Sequence, residues 1–252
     1  MSSEERQQRI AQYLQKVEFA SLEELAKEVD ASESTVRRDL TALEATGLLK
    51  RTHGGARLLA PPTDEFTFSA RDTHQLEEKE LIGKACAELI KPGQTVIIDA
   101  GTTTYHVARY LEEKAPHIIT NSLPIAQLFA GANQLEVVVT GGVIYPKLGV
   151  LVGPLTVEAM KTMRADVAIM SGGGISLEGV SNSHGLLIDI QRAMLHAAQK
   201  VIFCFDHTKF GRQSVLPLCG LDGIDTIVTD AKAPRELVTQ LRKKNIEVIV
   251  AK

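Results

Sequence analysis

Apolar positions recur at helical spacing three times in the first 59 residues. In the stretch from Arg6 to Val17, the side chains Ile10, Tyr13, Leu14 and Val17 share one side. Ser21-Leu-Glu-Glu24 reads as a capping box opening a second helix, whose apolar face is Leu22, Leu25, Ala26 and Val29. The turn Asp30-Ala31 leads to Ser32, a good N-cap for a third helix with Val36, Leu40 and Leu43 as its buried stripe. Gly47 is placed to close that helix. Two short extended runs, Leu48–Arg51 and Ala56–Leu59, flank Thr52-His-Gly-Gly55 and predict a hairpin. Two helices joined by a short turn and followed by a hairpin make a winged helix-turn-helix over residues 1–59.

The prolines of Ala60-Pro-Pro-Thr63 forbid helix continuation, and residues 60–72 read as a linker. Glu77 to Ile90 is strongly helical, with Leu81, Ile82, Ala85 and Leu89 as the expected stripe. Beyond residue 94 short apolar runs alternate with helices. The runs are Thr95–Ile98, His117–Ile119, Leu135–Val139, Val167–Met170, Lys200–Phe205, Thr226–Val228 and Glu247–Val250. Near-continuous β-branched runs of this kind belong to a mostly parallel sheet covered on both faces. Residues 73–252 are therefore expected to form one α/β domain.

The outer face of the third helix changes the picture from fold to function. It carries Ser34, Arg38 and Thr41, with Thr35 and Arg37 on its flanks. Small residues, hydroxyls and guanidiniums suit a helix lying in the major groove, where phosphates and base edges must be reached. Arg51, His53 and Arg57 would stand on the wing beside the duplex. Residues 1–31 hold four basic and seven acidic side chains, whereas residues 32–59 hold five basic and three acidic. Positive charge thus gathers on the reading helix and wing of a chain whose formal net charge is −3. A helix pair with a merely solvated Arg-Arg face is the alternative on these residues alone.

The carboxyl ends of the strands carry the second constellation. They read Asp99-Ala-Gly101-Thr-Thr-Thr104, Thr120-Asn-Ser122, Thr140-Gly-Gly142, Ser171-Gly-Gly-Gly174 and Asp206-His-Thr-Lys209-Phe-Gly-Arg212. In open α/β sheets ligands bind outside these ends. Hydroxyls and the Asn121 amide suit sugar hydroxyls, Asp99 would accept from them, and Lys209 or Arg212 would pair with a phosphate. Taken singly, such loops are ordinary turns and caps, and Asp206 and Asp230 read equally as helix caps. Together they describe a pocket for a small polyhydroxy phosphate. No P-loop is present, and Gly172-x-Gly174 lacks the third glycine of a dinucleotide fingerprint, since position 177 is Leu.

Composition narrows the classes further. Hydrophobic residues make up 44% and aromatics 4%, an aliphatic core typical of α/β folds. Cys86, Cys204 and Cys219 are too scattered for a metal site or disulfide framework, so neither metal nor cofactor is expected. The absence of a secretory pattern and of any run of membrane-spanning length leads us to expect a cytoplasmic protein.

Arg6, Ile10, Leu14, Ser32, Thr35, Val36, Arg37, Arg38, Asp39 and Leu40, with Arg51-Thr-His-Gly-Gly-Ala56, resemble the signature of the DeoR family of bacterial transcription regulators. The likeness continues through Glu78-Lys79, Asp99-x-Gly-Thr-Thr103, Thr120-Asn-Ser122, Gly141-Gly142, Gly153-Pro154, Asp166, Gly179 and Asp206-x-x-Lys-Phe-Gly211. The resemblance implies a winged-helix repressor of sugar or polyol catabolism, released by a phosphorylated metabolite and acting on operator DNA as a homo-oligomer. It also implies a Rossmann-like sensor domain similar to ribose-5-phosphate isomerase and glucosamine-6-phosphate deaminase. By the same resemblance Thr35, Arg37 and Arg38 contact DNA, Asp39 orients an arginine inside the protein, and Asp99, Gly101, Thr102, Thr103, Asn121, Ser122, Gly141 and Lys209 bind the effector. One departure concerns the residues before Arg192-Ala-Met194. The family often has acidic side chains there, whereas here Leu186-Leu187 intrude and only Asp189 remains.

The rival is a sugar-phosphate isomerase with an attached DNA-binding module. Its proton transfer needs a positioned base. The isomerase relatives carry an acidic pair near the fourth strand, where this chain has Asp166-Val-Ala-Ile-Met-Ser-Gly. His184 and His207 are the remaining bases, and neither has a carboxylate partner legible in the sequence. A regulator without enzymatic activity is the expectation.

Overall fold

The chain folds as two units, Met1–Phe66 and Thr67–Lys252. A computed structural model describes residues 2–17, 19–45, 49–52, 54–58, 67–132 and 135–252 of them. The first unit contains α1 (Ser3–Val17), β1 (Phe19–Ser21), α2 (Leu22–Glu28), α3 (Glu33–Ala45), β2 (Leu49–Thr52) and β3 (Gly55–Leu58). Ile10 and Leu14 of α1, Leu25 of α2, and Val36, Leu40 and Leu43 of α3 close on Leu49 and Ala56 of the hairpin as one apolar core. Ser21 and Glu24 form the expected capping box, satisfying two helix-end donors reciprocally.

The sequence pattern missed β1. It pairs with β3, giving the order β1-β3-β2, all antiparallel. Three residues are too few to show a period of two, so the strand is specified by its partner. Gly55 makes the pairing possible. A Cβ there would lie 2.1 Å from the Ala20 carbonyl oxygen. Gly47 and His53 lie outside the described residues.

The second unit opens with α4 (Phe68–Thr73) and α5 (Leu76–Glu88). There follow β4 (Thr95–Ile98), α6 (Thr102–Ala108), β5 (His117–Thr120), α7 (Leu123–Phe129), β6 (Val137–Val139), β7 (Val143–Tyr145), β8 (Val150–Val152) and α8 (Pro154–Lys161). Then come β9 (Ala165–Met170), β10 (Gly174–Ser176), β11 (Gly179–Asn182), α9 (Gly185–Ala197), β12 (Ala198–Phe205), β13 (Leu216–Cys219), β14 (Thr226–Thr229), α10 (Arg235–Lys243) and β15 (Glu247–Val250). The seven expected runs form one parallel sheet in the order β15-β14-β12-β9-β4-β5-β6.

Alternation along the strands feeds two cores. Val96 and Ile98 pack with Ile82, Cys86 and Val107. Ile97 faces the opposite core, which holds Met160, Ile190, Met194 and Leu241. The strand order reverses between β4 and β9, which makes that junction the topological switch point.

Three features depart from the sequence pattern. Part of the expected linker is α4, a short helix capped where Thr67 Oγ1 accepts from the Ala70 amide at 3.3 Å. Its Phe68 ring meets Tyr105 edge-on at 5.4 Å; six residues are too few to reveal a helical stripe. Residues 60–66 of that linker lie outside the described residues. The stripe of α5 is also turned from the one expected. Leu81 is 41% exposed, while Glu78, Lys79, Ile82, Cys86 and Ala87 face inward. Gly83 lets α5 approach α6 closely, since a Cβ there would stand 2.7 Å from the His106 backbone, and this contact sets the rotation. Finally, the small antiparallel groups β7-β8 and β10-β11-β13 lie outside the main sheet. No helix of the described residues is long and apolar enough to cross a membrane.

Candidate functional site

In the first unit, α3 turns Val36, Leu40 and Leu43 inward and leaves Ser34, Arg37, Arg38 and Thr41 exposed, with Thr35 half-buried. Ser32 starts the helix, its Oγ accepting from the Thr35 amide at 3.3 Å. The same oxygen lies 2.9 Å from Ser34 Oγ and 3.0 Å from Thr35 Oγ1. Arg37 leans 3.6 Å from Glu33, an exposed pair that contributes little. Arg38 has no acidic partner among the described residues.

Asp39 sits on the buried side at 3% exposure. Its carboxylate takes Arg6 Nε at 2.5 Å and Arg6 Nη2 at 3.2 Å, with Gln7 and Ser3 as further donors. Burial alone would raise this carboxyl, but the donors outweigh it, with Arg6 foremost, and hold it below the ordinary range. The arginine that Asp39 orients is thus Arg6, and the pair fastens α1 to α3.

The wing is less open than expected. Arg51 donates from Nε to Glu44 at 2.6 Å and from Nη1 to Thr41 Oγ1 at 2.8 Å. Its guanidinium braces β2 against α3, so both Arg51 and Thr41 are already engaged. Arg57 stands on β3 opposite Lys50.

In the second unit the carboxyl ends of the strands converge, but their roles divide. Asp99 is 2% exposed. Its oxygens accept from Gln191 Nε2 at 2.7 Å, the Ala100 amide at 2.8 Å and the Ser171 amide at 3.3 Å. Burial lifts its carboxyl above the ordinary range against those donors and the charge of Arg71. Protein donors thus occupy most of the acceptor sites of this carboxylate. It ties β4 to β9 at the switch point.

Gly101 is needed for packing there, since a Cβ would meet Ser171 Oγ at 2.3 Å. Gly142 likewise approaches Thr156, whereas Gly141, at φ +71°, has open space around its would-be Cβ. Thr102 and Thr103 begin α6, buried and with no side-chain hydrogen bond among the described residues. Ser122 caps α7, accepting from the Ile125 amide at 3.4 Å. Asn121 donates to the Leu151 carbonyl at 3.1 Å, but its buried Oδ1 has no donor.

Lys209 is half-buried on the turn after β12, and Arg212 is exposed. Desolvation lowers the Lys209 ammonium; Asp206 opposes the shift, while Arg71 and Arg212 add to it. Asp206 itself caps that turn, accepting from the Thr208 amide at 2.9 Å.

Two residues of this region escaped site assignment. Arg71 lies in the supposed linker, and its guanidinium is lowered chiefly by desolvation, with Asp99 opposing. Lys79 is 4% exposed and is pushed down to about 8, mainly by burial. For Arg71 the signal in the sequence was its charge alone, whereas Lys79 also stood in the Glu78-Lys79 element of the family resemblance, with no role attached to it. His207 also departs from expectation, since Asp230 Oδ1 lies 3.1 Å from its Nδ1. The two are 23 positions apart and meet because β12 and β14 are neighbours.

Comparison with known proteins follows the same division. Residues 6–61 match the family model described as a DeoR-like helix-turn-helix domain, and residues 74–231 the one described as the DeoR C terminal sensor domain. The HTH-type transcriptional regulator GolR of Listeria innocua is 31% identical over 98% of each chain. The HTH-type transcriptional repressor CsqR of Escherichia coli is 32% identical over 92% of this chain and 89% of its own. The glycerol-3-phosphate regulon repressor of Escherichia coli is 30% identical over 98% of this chain and 99% of its own. Among solved structures, ribose 5-phosphate isomerase A of Methanocaldococcus jannaschii covers 52% of this chain and 53% of its own at 14% identity and TM-score 0.39.

Proposed function

The chain belongs to the DeoR family of DNA-binding transcriptional regulators, a family of regulators and not of enzymes, and from that premise we propose that it represses a sugar or polyol catabolic operon and leaves its operator when a phosphorylated metabolite fills the sensor pocket. The observation that carries this reading is the outer face of α3. Ser34, Thr35, Arg37 and Arg38 stand over a fully buried stripe, and Arg38 lacks any acidic partner among the described residues. Such a face is built to be neutralised by phosphates and to reach base edges. Arg51 joins it only by sharing its guanidinium with Glu44.

On the sensor side, Thr102, Thr103, Asn121, Gly141 and Lys209 are the pocket groups that the effector meets, with Arg212 at the exposed margin. Ser122 and Gly142 shape the walls. The glycerol-3-phosphate regulon repressor among its relatives supports a phosphorylated polyol or sugar as effector. A homo-oligomer supplies two reading helices for an operator of repeated half-sites.

The test is fluorescence anisotropy on the DNA upstream of the protein's own gene, with a panel of sugar and polyol phosphates. Binding falls with salt as counterions are released, and one compound selectively releases the DNA. Arg38→Ala weakens operator binding at least about fivefold. Undiminished binding by that variant, or indifference to the whole panel, overturns the reading.

A further inference from the structure

We infer that the outer face of α8 and α9 is where two copies of this chain meet, α9 of one copy lying antiparallel on α9 of the other across a two-fold axis. The inference rests on the homo-oligomer of the reading above and names the surface that makes it.

The two helices lie side by side and run the same way. α8 leads into β9 and α9 into β12, and Ala165 and Ala198, the first residues of those strands, are partners in the parallel sheet. Their inner sides belong to the core, where Met160 of α8 and Ile190 and Met194 of α9 are fully buried. Between their outer sides runs an open cleft of about 630 Å³. Its floor is apolar, with Ala193 and Ala197 buried and Val157 half-buried. At the amino end of the cleft stands Leu186, one of the two leucines found where the family resemblance leads one to expect acidic side chains. Leu187 turns into a small core with Leu148, Val150 and Val152, whereas Leu186 is left 57% exposed. One exposed leucine is ordinary by itself. The charges around this one give it a place.

Exposed positions follow along α9 at helical spacing as Leu186, Asp189, Arg192 and His196. Asp189 has neither a hydrogen bond nor an ion pair among the described residues. The other acid of the cleft, Glu158, is taken by Lys161 at 2.7 Å. Arg192 donates to the carbonyls of Pro217 at 2.9 Å and Leu218 at 3.5 Å, and Arg164 to those of Met163 at 2.7 Å and Lys161 at 3.2 Å. Both guanidiniums are thus held in place, yet neither faces a carboxylate among the described residues. The cleft carries an unmatched acid toward its amino end and unmatched bases toward its carboxyl end. Turned over by a two-fold axis, such a face is its own complement. In an isologous contact residue i meets j and j meets i, so Asp189 of each copy comes against Arg192 of the other. The same register lays Leu186 of one copy over Ala193 and Ala197 of the other, where small side chains leave room for it. A ligand of a single charge would match one end of the cleft and oppose the other, which is why a second copy fits it best.

The experiment is sedimentation velocity of the full chain at micromolar concentrations. The wild type sediments as a dimer or a multiple of one. Leu186→Glu, which sets a carboxylate over the apolar floor, weakens association at least about tenfold. Asp189→Arg sets arginine against arginine, Arg192→Glu sets acid against acid, and each weakens association by a similar factor. Mixed in equal amounts, these two variants associate again. The new arginine of the first then faces the new glutamate of the second, and the native Arg192 of the first faces the native Asp189 of the second. Leu81→Glu, an exposed change on α5, which packs in the opposite core, leaves the mass unchanged.

Leu186→Glu and Asp189→Arg that sediment as the wild type overturn the assignment of this face while leaving the homo-oligomer intact. A mixture of the two charge variants that stays dissociated, each being folded by circular dichroism, overturns the antiparallel pairing. Where Arg192→Glu loses its fold, Leu186→Glu and Asp189→Arg, both at exposed positions, carry the decision. A wild type that stays monomeric, with and without operator DNA, overturns both readings.

Discussion

Asp39 and Asp99 are both almost wholly buried, yet they titrate in opposite directions. At Asp39 a charged guanidinium in direct contact, with two neutral donors, overcomes the burial that would raise it. At Asp99 the donors are an amide side chain and two backbone groups, and burial wins. Asp39→Asn should therefore destabilise the winged-helix unit by about 1.5–3 kcal/mol, the worth of a hydrogen bond to a charged group. Because the folded value lies below the ordinary one near pH 4, the contribution is complete above that pH. It is lost as pH falls through the lower folded value. Thermal unfolding should show a gap between wild type and Asp39→Asn at pH 7 that closes in acid. Lys79 supplies a second pH dependence. Its ammonium, faced by Asp206, Asp72, Arg71 and Lys209, is complete below about 8 and lost above it. Because that value lies below the ordinary one near 10.4, the unfolded chain binds the proton more tightly, so the thermal stability of the wild type relative to Lys79→Gln should rise between about pH 8 and 10, and an unchanged gap would mean that burial does not hold the ammonium down. A buried aspartate on the reading helix was legible because an outward carboxylate would repel phosphate. Arg71 was not, because the carboxylate that opposes its desolvation, Asp99, comes from the end of β4, beyond the whole of α5.

At the scale of elements, period and caps were a sufficient guide wherever a helix or strand could satisfy itself locally. The stripe of α3 and the capping box of α2 are of that kind, as are the seven strands of the main sheet. β1, β7, β8 and α4 were not legible, since each is shorter than the window in which a period shows and lies outside the strand–helix alternation that marked the equally short strands of the main sheet. They exist because a partner holds them. Gly55→Ala tests this for β1. The added Cβ meets backbone at 2.1 Å, which cannot yield as a side chain can, so the unit should lose about 1–3 kcal/mol. Gly54→Ala, whose Cβ meets nothing within 4 Å, is the matched control. Chemical denaturation that ranks the two equally would show that β1 adds nothing to stability. The rotation of α5 belongs to the same class. Apolar spacing allowed a stripe through Leu81, but the close approach at Gly83 selected one through Cys86.

For the whole molecule the question is how a sensor of one chemistry governs a reader of another. Whatever the route, coupling between the two sites is reciprocal. If a sugar phosphate weakens operator affinity by some factor, saturating operator DNA must weaken that sugar phosphate by the same factor. Titrations of the effector with and without operator check this, and unequal factors would mean that the DNA is displaced by competition at one site. The outer face of α3 and the parallel character of the sheet were determined by the sequence alone, whereas the strand order came from the structure. The reason is local, since 3.6-residue and strand patterns are set by neighbours along the chain, as are caps and the glycine turns. The tertiary structure decided which charges meet. It tied Asp99 to Gln191 and to the end of β9, gave His207 its Asp230, and tied Arg51 to Glu44. Electrostatics and desolvation act through space, and residues brought together by crossing strands leave no period in the sequence by which to find one another.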